Sequence, residues 1–182
     1  MFKLLLTIVL MLASFTPLVF ADSAIAPSFV VKDATGNNIS LPSRQPGVDV
    51  YLFWATWCPY CKALMPHLQS IQIEYGDDVR VYALQIRDDE DPVAFMEEHG
   101  YNFVLLPKAD AVMEPYGVRS TPAVFLVDQN AAIQFNLYEM IFDDSEAFRA
   151  LGHRQKSVRR APYWAAAIRT RIDQIIANQS AD

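Results

Sequence analysis

The chain has 182 residues, 52% of them hydrophobic and 20% charged, with a formal net charge of -6. Such a mixture excludes a disordered or low-complexity polymer, and we find no internal repeat. It is enough for one domain with a proper core, and no nucleic-acid partner is expected.

The N-terminus reads as a secretory signal over residues 1–21. Lys3 gives a basic start, Leu4 to Leu12 is almost unbroken apolar sequence, and Val19-Phe20-Ala21 resembles a cleavage site. A cut after Ala24-Ile25-Ala26 is the second choice. The competing reading is an uncleaved membrane anchor, although Thr7, Ser14, Thr16 and Pro17 interrupt the apolar run from Leu4 to Phe20. Either way the functional part is expected outside the cytoplasm, in the periplasm or otherwise exported.

Phe29 to Asp33 and Asn38 to Leu41 flank Ala34-Thr35-Gly36-Asn37, which predicts a hairpin. Val48 to Trp54 is a continuous apolar and β-branched run, the pattern of a strand buried on both faces. After Cys58 the period becomes helical, with Leu64, Leu68, Ile71 and Tyr75 on one face and Pro66 inside, where a kink is expected. Val79 to Ile86 is a second buried strand. Asp91 caps a helix with Pro92 at its first position, ending at Gly100. Phe103 to Leu106 predicts a short strand and Ala109 to Tyr116 a short helix closed by Gly117. Ala123 to Val127 and Ala131 to Tyr138 form a hairpin, and helices are predicted over Ser145 to Leu151 and Pro162 to Asn178. Alternating strands and helices followed by a hairpin give an α/β fold, a three-layer sandwich with a mixed central sheet.

Cys58 and Cys61 are the only cysteines, two residues apart in Phe53-Trp54-Ala55-Thr56-Trp57-Cys58-Pro59-Tyr60-Cys61-Lys62. Such a pair can be a redox dithiol, half a zinc site or a structural staple. Zinc needs two further ligands, and His67, His99 and His153 are scattered. A staple over so short a loop restricts the unfolded chain very little. The dithiol reading leads. Cys58 falls where a buried strand ends and a helix begins, so unpaired N–H groups and the helix dipole favour its thiolate. It is expected to be the more acidic, exposed nucleophile, with Cys61 resolving the mixed disulfide. Pro59 fixes the backbone between them, the Tyr60 hydroxyl can bond near the site or simply pack, and Trp57 either shields the thiol or packs on the strand. On local grounds the Thr121-Pro122 bond is expected to be trans.

Trp57-Cys58-Pro59-Tyr60-Cys61 after a buried strand, Pro66 in the next helix and Gly117-Val118-Arg119-Ser120-Thr121-Pro122 before the next strand together resemble the thioredoxin superfamily. Ala26 to Asp33, followed by Phe53 to Cys58, is similar to its exported TlpA/ResA-like branch of thiol–disulfide oxidoreductases. The resemblance covers Ala26 to Tyr138. It implies a thioredoxin-like domain over 22–142 with a C-terminal helical extension over 143–182 packed on it, and a redox disulfide Cys58–Cys61. It also implies a cis Pro122 facing the cysteines, Thr121 backbone pairing with an extended substrate, and an inserted helix over Asp91 to His99. Trp57, Pro59, Tyr60, Thr121 and Pro122 become the expected substrate contacts. The implied function is reduction of cysteine-containing exported proteins, apocytochromes among them, with electrons from a membrane partner. Disulfide oxidase or isomerase activity and a non-catalytic partner- or copper-binding module are the alternatives.

No cofactor and no metal are expected, since no methionine or histidine joins the dithiol at copper-binding spacing. Three departures are plain. Leu52 stands where thioredoxins often bury an acid, and Leu64 where ResA-like proteins can place a glutamate. The Pro-Tyr dipeptide is closer to glutaredoxin, which leaves the direction of electron flow open. Arg149, Arg154, Lys156, Arg159, Arg160, Arg169 and Arg171 fall in a stretch without acids, Ala147 to Ile172. Its helix is expected to cover the sheet, with an acidic partner or a membrane surface as the second reading.

Overall fold

A computed structural model describes residues 24–140 and 145–181. The signal-sequence reading lies outside the described residues. The chain begins with a hairpin, β1 (Phe29–Lys32) against β2 (Asn38–Leu41), whose turn is held by the Asp33 carboxylate accepting from the Thr35 and Asn37 amides. The main sheet has five strands: β3 (Val48–Trp54), β4 (Val79–Gln85), β5 (Val104–Leu106), β6 (Ala123–Asp128) and β7 (Ile133–Asn136). Their order is β5-β4-β3-β6-β7, with β3, β4 and β5 mutually parallel and β6 and β7 antiparallel to their neighbours. The sheet is therefore mixed, and β3, buried at every position, is its centre.

Because side chains alternate along β3, its two faces build two cores. Val48, Val50, Leu52 and Trp54 point to one side, where helix α1 (Pro59–Tyr75) supplies Leu64, Met65, Leu68 and Ile71. A long C-terminal helix covers the same side with Trp164, Ile168, Ile172 and Ile175. Tyr51 and Phe53 point to the other side, packing with Tyr116, Phe125 and Phe29 of the hairpin at ring distances of 5.7 to 6.1 Å. Helix α2 (Pro92–His99) follows β4, capped by the Asp91 carboxylate at 2.9 Å from the Val93 amide and closed by Gly100 at φ 67. It lies over the end of β3, with Phe95 5.1 Å from Trp54.

Two predicted elements differ. The segment Ala109 to Tyr116 is a 3-10 turn at Asp110–Val112 followed by further turns. Ala109, Val112, Met113 and Tyr116 are buried at helical spacing. So short a segment is marginal as a helix, and the bonds Met113 N–H to Asp110 and Val118 N–H to Met113 close local turns instead. After the short helix α3 (Glu146–Arg149), helix α4 runs from His153 to Gln179, nine residues earlier than predicted. Pro162 is interior, not at the start. The carbonyl it leaves unbonded belongs to Val158, a residue 62% exposed, where solvent can satisfy it. Ser157, Ala161 and Trp164 are buried and seat the early turns.

The last turn of α4 is tied to the loop before β3. The Gln179 side chain accepts from the Gly47 N–H and donates to its carbonyl, both at 3.1 Å. Gly47 has φ +96, and a Cβ there would lie 2.4 Å from the Asp78 carbonyl oxygen. Gly47→Ala is expected to lower stability by about 1–3 kcal/mol through strain and backbone displacement, read from the urea midpoint.

Candidate active site

The site sits at the C-terminal end of β3, where the strand gives way to α1. Cys58 is the N-cap of α1, in extended conformation at φ -81 and ψ 111, and Pro59 takes the first helical position, where its missing N–H costs nothing. The Cys61 N–H donates to Cys58 Sγ at 3.1 Å, and the Lys62 N–H donates to the Cys58 carbonyl at 3.1 Å. A cysteine sulfur thus does what a serine or aspartate oxygen does at an ordinary helix start, and it faces the positive end of the helix. Cys58 and Cys61 are joined as a disulfide with Cα atoms 5.3 Å apart. The expected exposure of Cys58 is not met in this oxidised pair: it is 2% exposed and Cys61 0%. The strand–helix junction packs both sulfurs into the α1 side of the core, leaving Cys58 the outer one.

The flanking residues divide. Trp57 is 58% exposed, and its indole N–H donates to the Arg87 carbonyl at 3.0 Å, so it is held over the loop instead of packing on the strand. The Thr56 N–H donates to Asp88 Oδ2 at 2.5 Å. Tyr60 packs, with its ring 6.0 Å from Trp164 and 6.2 Å, edge-on, from His153. The Thr121-Pro122 bond is cis, as the family resemblance implied against the local expectation, and Leu41-Pro42 is a second cis bond that the sequence did not announce. Thr121 and Pro122 share a cavity of about 240 Å³ with Tyr60. Leu52 and Leu64 are both fully buried in the same cluster as the cysteines. The buried polar residues, among those described, are Asp49, Gln85, Asp128 and Ser157.

Three residues that sequence reasoning passed over surround the dithiol, and two of them hold its loops. Arg87, just past the end of β4, has φ 50. Its N–H donates to Asp110 Oδ1 at 2.8 Å and its guanidinium to the Arg119 carbonyl at 3.0 Å. Together with the Trp57 bond, it links three loops. Tyr138 secures the Pro122 loop from the 3-10 turn after β7: its hydroxyl accepts from the Ser120 N–H at 3.1 Å and donates to the Ser120 carbonyl. His153, met in the sequence only as one of three scattered histidines, lines the Pro122 cavity with Arg160 and Trp164. Those three lie on one helical face, but only once the helix is known to begin before Pro162. His67 and His99 stay apart from the site. His99 bonds the Phe95 carbonyl at 2.9 Å and stacks on the Phe95 ring, closing α2. Among the described residues, no three His, Cys, Asp or Glu side chains gather as a metal site. Arg154 and Arg159 are exposed on α4.

A model of the AhpC/TSA family matches residues 23–136. The chain belongs to that family. The thiol-disulfide oxidoreductase ResA of Halalkalibacterium halodurans is 32% identical over 124 residues, covering 63% of this chain and 70% of that protein. The thioredoxin-like protein YneN of Bacillus subtilis is 29% identical over 113 residues, covering 60% and 66%. The chain therefore spans about two thirds of the length of these curated relatives. In three dimensions it is similar to the thioredoxin domain of a thiol-disulfide oxidoreductase from Bacteroides vulgatus. The TM-score is 0.58 at 24% identity, covering 69% of this chain and 92% of that one. The fold is thioredoxin-like, and the dithiol at the α1 N-cap fits the thiol–disulfide exchange for which these relatives are named.

Burial pushes the Asp88 carboxyl up, but bonds from Thr56 and Glu90 outweigh it and hold it below its ordinary value of 3.8. A depressed carboxyl stabilises the fold above its unfolded pKa and loses that contribution as pH falls through the folded value. Asp88→Asn is therefore expected to lower the urea midpoint at pH 7 and to shrink the loss between pH 5 and pH 2 relative to the parent. A second prediction concerns roles. Cys61→Ser is expected to accumulate mixed disulfides through Cys58, whereas Cys58→Ser accumulates none, scored by non-reducing gel shifts after acid quenching.

Proposed function

We propose that the protein is an exported thiol–disulfide oxidoreductase that reduces cysteine pairs in exported proteins, apocytochromes among them, and is re-reduced by a membrane electron donor. The observation that carries the reading is Cys58 at the α1 N-cap, with its sulfur accepting the Cys61 N–H at 3.1 Å. In the dithiol form, the same N–H group and the helix dipole stabilise a Cys58 thiolate.

The thiolate attacks one sulfur of a substrate disulfide. A Cys58–substrate bond forms as the substrate's own S–S bond breaks, and the departing thiolate takes a proton from solvent. The Cys61 thiol then loses its proton and attacks Cys58 Sγ, releasing the second substrate thiol. Two electrons pass to the substrate, and the protein is left as the Cys58–Cys61 disulfide. Thr121 supports the reading from the opposite side. Its backbone N–H and carbonyl take no hydrogen bond among the described residues, next to a Pro122 loop held by Arg87 and Tyr138. An extended substrate segment can pair there. The resemblance to the TlpA/ResA-like branch favours the reducing direction, and the N-terminal signal reading favours export.

Equilibration with glutathione buffers tests the direction. A reductant is expected to show a Cys58–Cys61 potential near the about -270 mV of thioredoxin. A value near the about -120 mV of DsbA would make it an oxidase, and absence of exchange at either cysteine would remove the activity altogether.

A further inference from the structure

The cavity beside Pro122 is only partly built by the family domain. Tyr60, Ser120, Thr121, Pro122 and Leu137 form its floor and one wall, while His153, Arg160 and Trp164 of α4 form the other. The family match ends at residue 136, so Leu137 and the α4 wall lie outside it. At about 240 Å³ the cavity is smaller than the roughly 300–1,000 Å³ of small-molecule sites. It has room for a side chain, and it opens beside the Thr121 backbone. We propose that it is a specificity pocket for one aromatic side chain of the substrate polypeptide, next to the cysteine that Cys58 attacks. This inference rests on the oxidoreductase reading above.

The lining selects the occupant. Trp164 and Tyr60 lie with centroids 6.0 Å apart, tilted by 42°, and Tyr60 meets His153 edge-on at 87°, so ring faces and edges already border the space. Leu137 and Pro122 are buried and add apolar surface. Arg160 brings a guanidinium that already lies 4.7 Å from the centroid of another ring, Phe148. An aromatic ring uses both kinds of wall, packing on the rings and leucine while turning its face to the cation. An aliphatic side chain uses only the first, and a carboxylate would have to give up water against mostly carbon. The wall is also firm. Tyr138 and Arg87 hold the Pro122 loop, and buried Ser157, Ala161 and Trp164 seat the first turns of α4.

The test uses the reduced protein and glutathionylated pentapeptides with a central cysteine, carrying Phe, Ala or Asp at each flanking position in turn. Glutathione disulfide serves as a reference too small to reach the pocket. With Phe at one flanking position, release of glutathione is expected to be about five-fold faster than with Ala, the size that one aromatic contact supplies. His153→Trp, a substitution at an exposed position on the cavity rim, is expected to lower the ratio of the Phe-peptide rate to the glutathione disulfide rate to near that of the Ala peptide. Using the ratio removes differences in folded fraction. Equal Phe and Ala rates, an Asp preference, or an unchanged ratio in His153→Trp would each overturn the pocket while leaving exchange with glutathione disulfide intact. Failure of that reference reaction in the parent protein would instead overturn the oxidoreductase reading.

Discussion

One hydrogen bond ties fold to chemistry here: the Cys61 N–H to Cys58 Sγ at the first turn of α1. A helix start must satisfy N–H groups that have no intrahelical partner, and this chain assigns the task to a thiol. The same atom is thereby anchored at the end of the central strand, placed at the positive pole of the helix and held within reach of its partner cysteine. Removing it would take away a cap and a nucleophile together. Everything else around the site positions this junction. Asp88 grips Thr56, Arg87 accepts from Trp57 and reaches Arg119, and Tyr138 secures Ser120.

The core beneath the junction contains carbon where an acid could have stood. Leu52 and Leu64 are fully buried with the cysteines, and the buried acids among the described residues, Asp49 and Asp128, belong to the start of β3 and the end of β6. Asp49 is committed there to Arg80 at 2.9 Å. The interior therefore offers Cys61 no carboxylate at either position, and its proton has to leave towards the open side. That couples deprotonation of the resolving thiol to solvent access, and hence to whatever covers the groove when a substrate is bound.

Much of this was legible in the chain. The unbroken apolar run from Val48 to Trp54 set the central strand, Asp91-Pro92 and Gly100 bracketed α2 to the residue, and the two cysteines marked the site because their spacing and setting admit few uses. What escaped had specific physical causes. Pro162 imitates a helix start because proline is common there, yet tertiary packing of Ser157, Ala161 and Trp164 carries the helix straight through it. That one misreading hid the shared face of His153, Arg160 and Trp164. Arg87 and Tyr138 escaped because their work is done across contacts of 32 and 18 residues in sequence, which no local pattern encodes. The cis bond at Pro122 is likewise a matter of tertiary setting, and only family resemblance foretold it.

Helix α4 turns this arrangement into a lever. Its 27 residues at about 1.5 Å each make a rod of roughly 40 Å. The distal part is clamped by Gln179 on Gly47, by Asp173 on Tyr75 and by Arg169 on Glu74. Pro162 interrupts the hydrogen-bond ladder between those clamps and the early turns that end at His153. A change of about 10° in axis direction at that proline would carry the His153 end by about 2 Å, a bend for which an interior proline is the usual cause. The groove beside Pro122 thus keeps its width only because buried Ser157, Ala161 and Trp164 hold α4 straight across that proline, at positions remote in sequence from both cysteines.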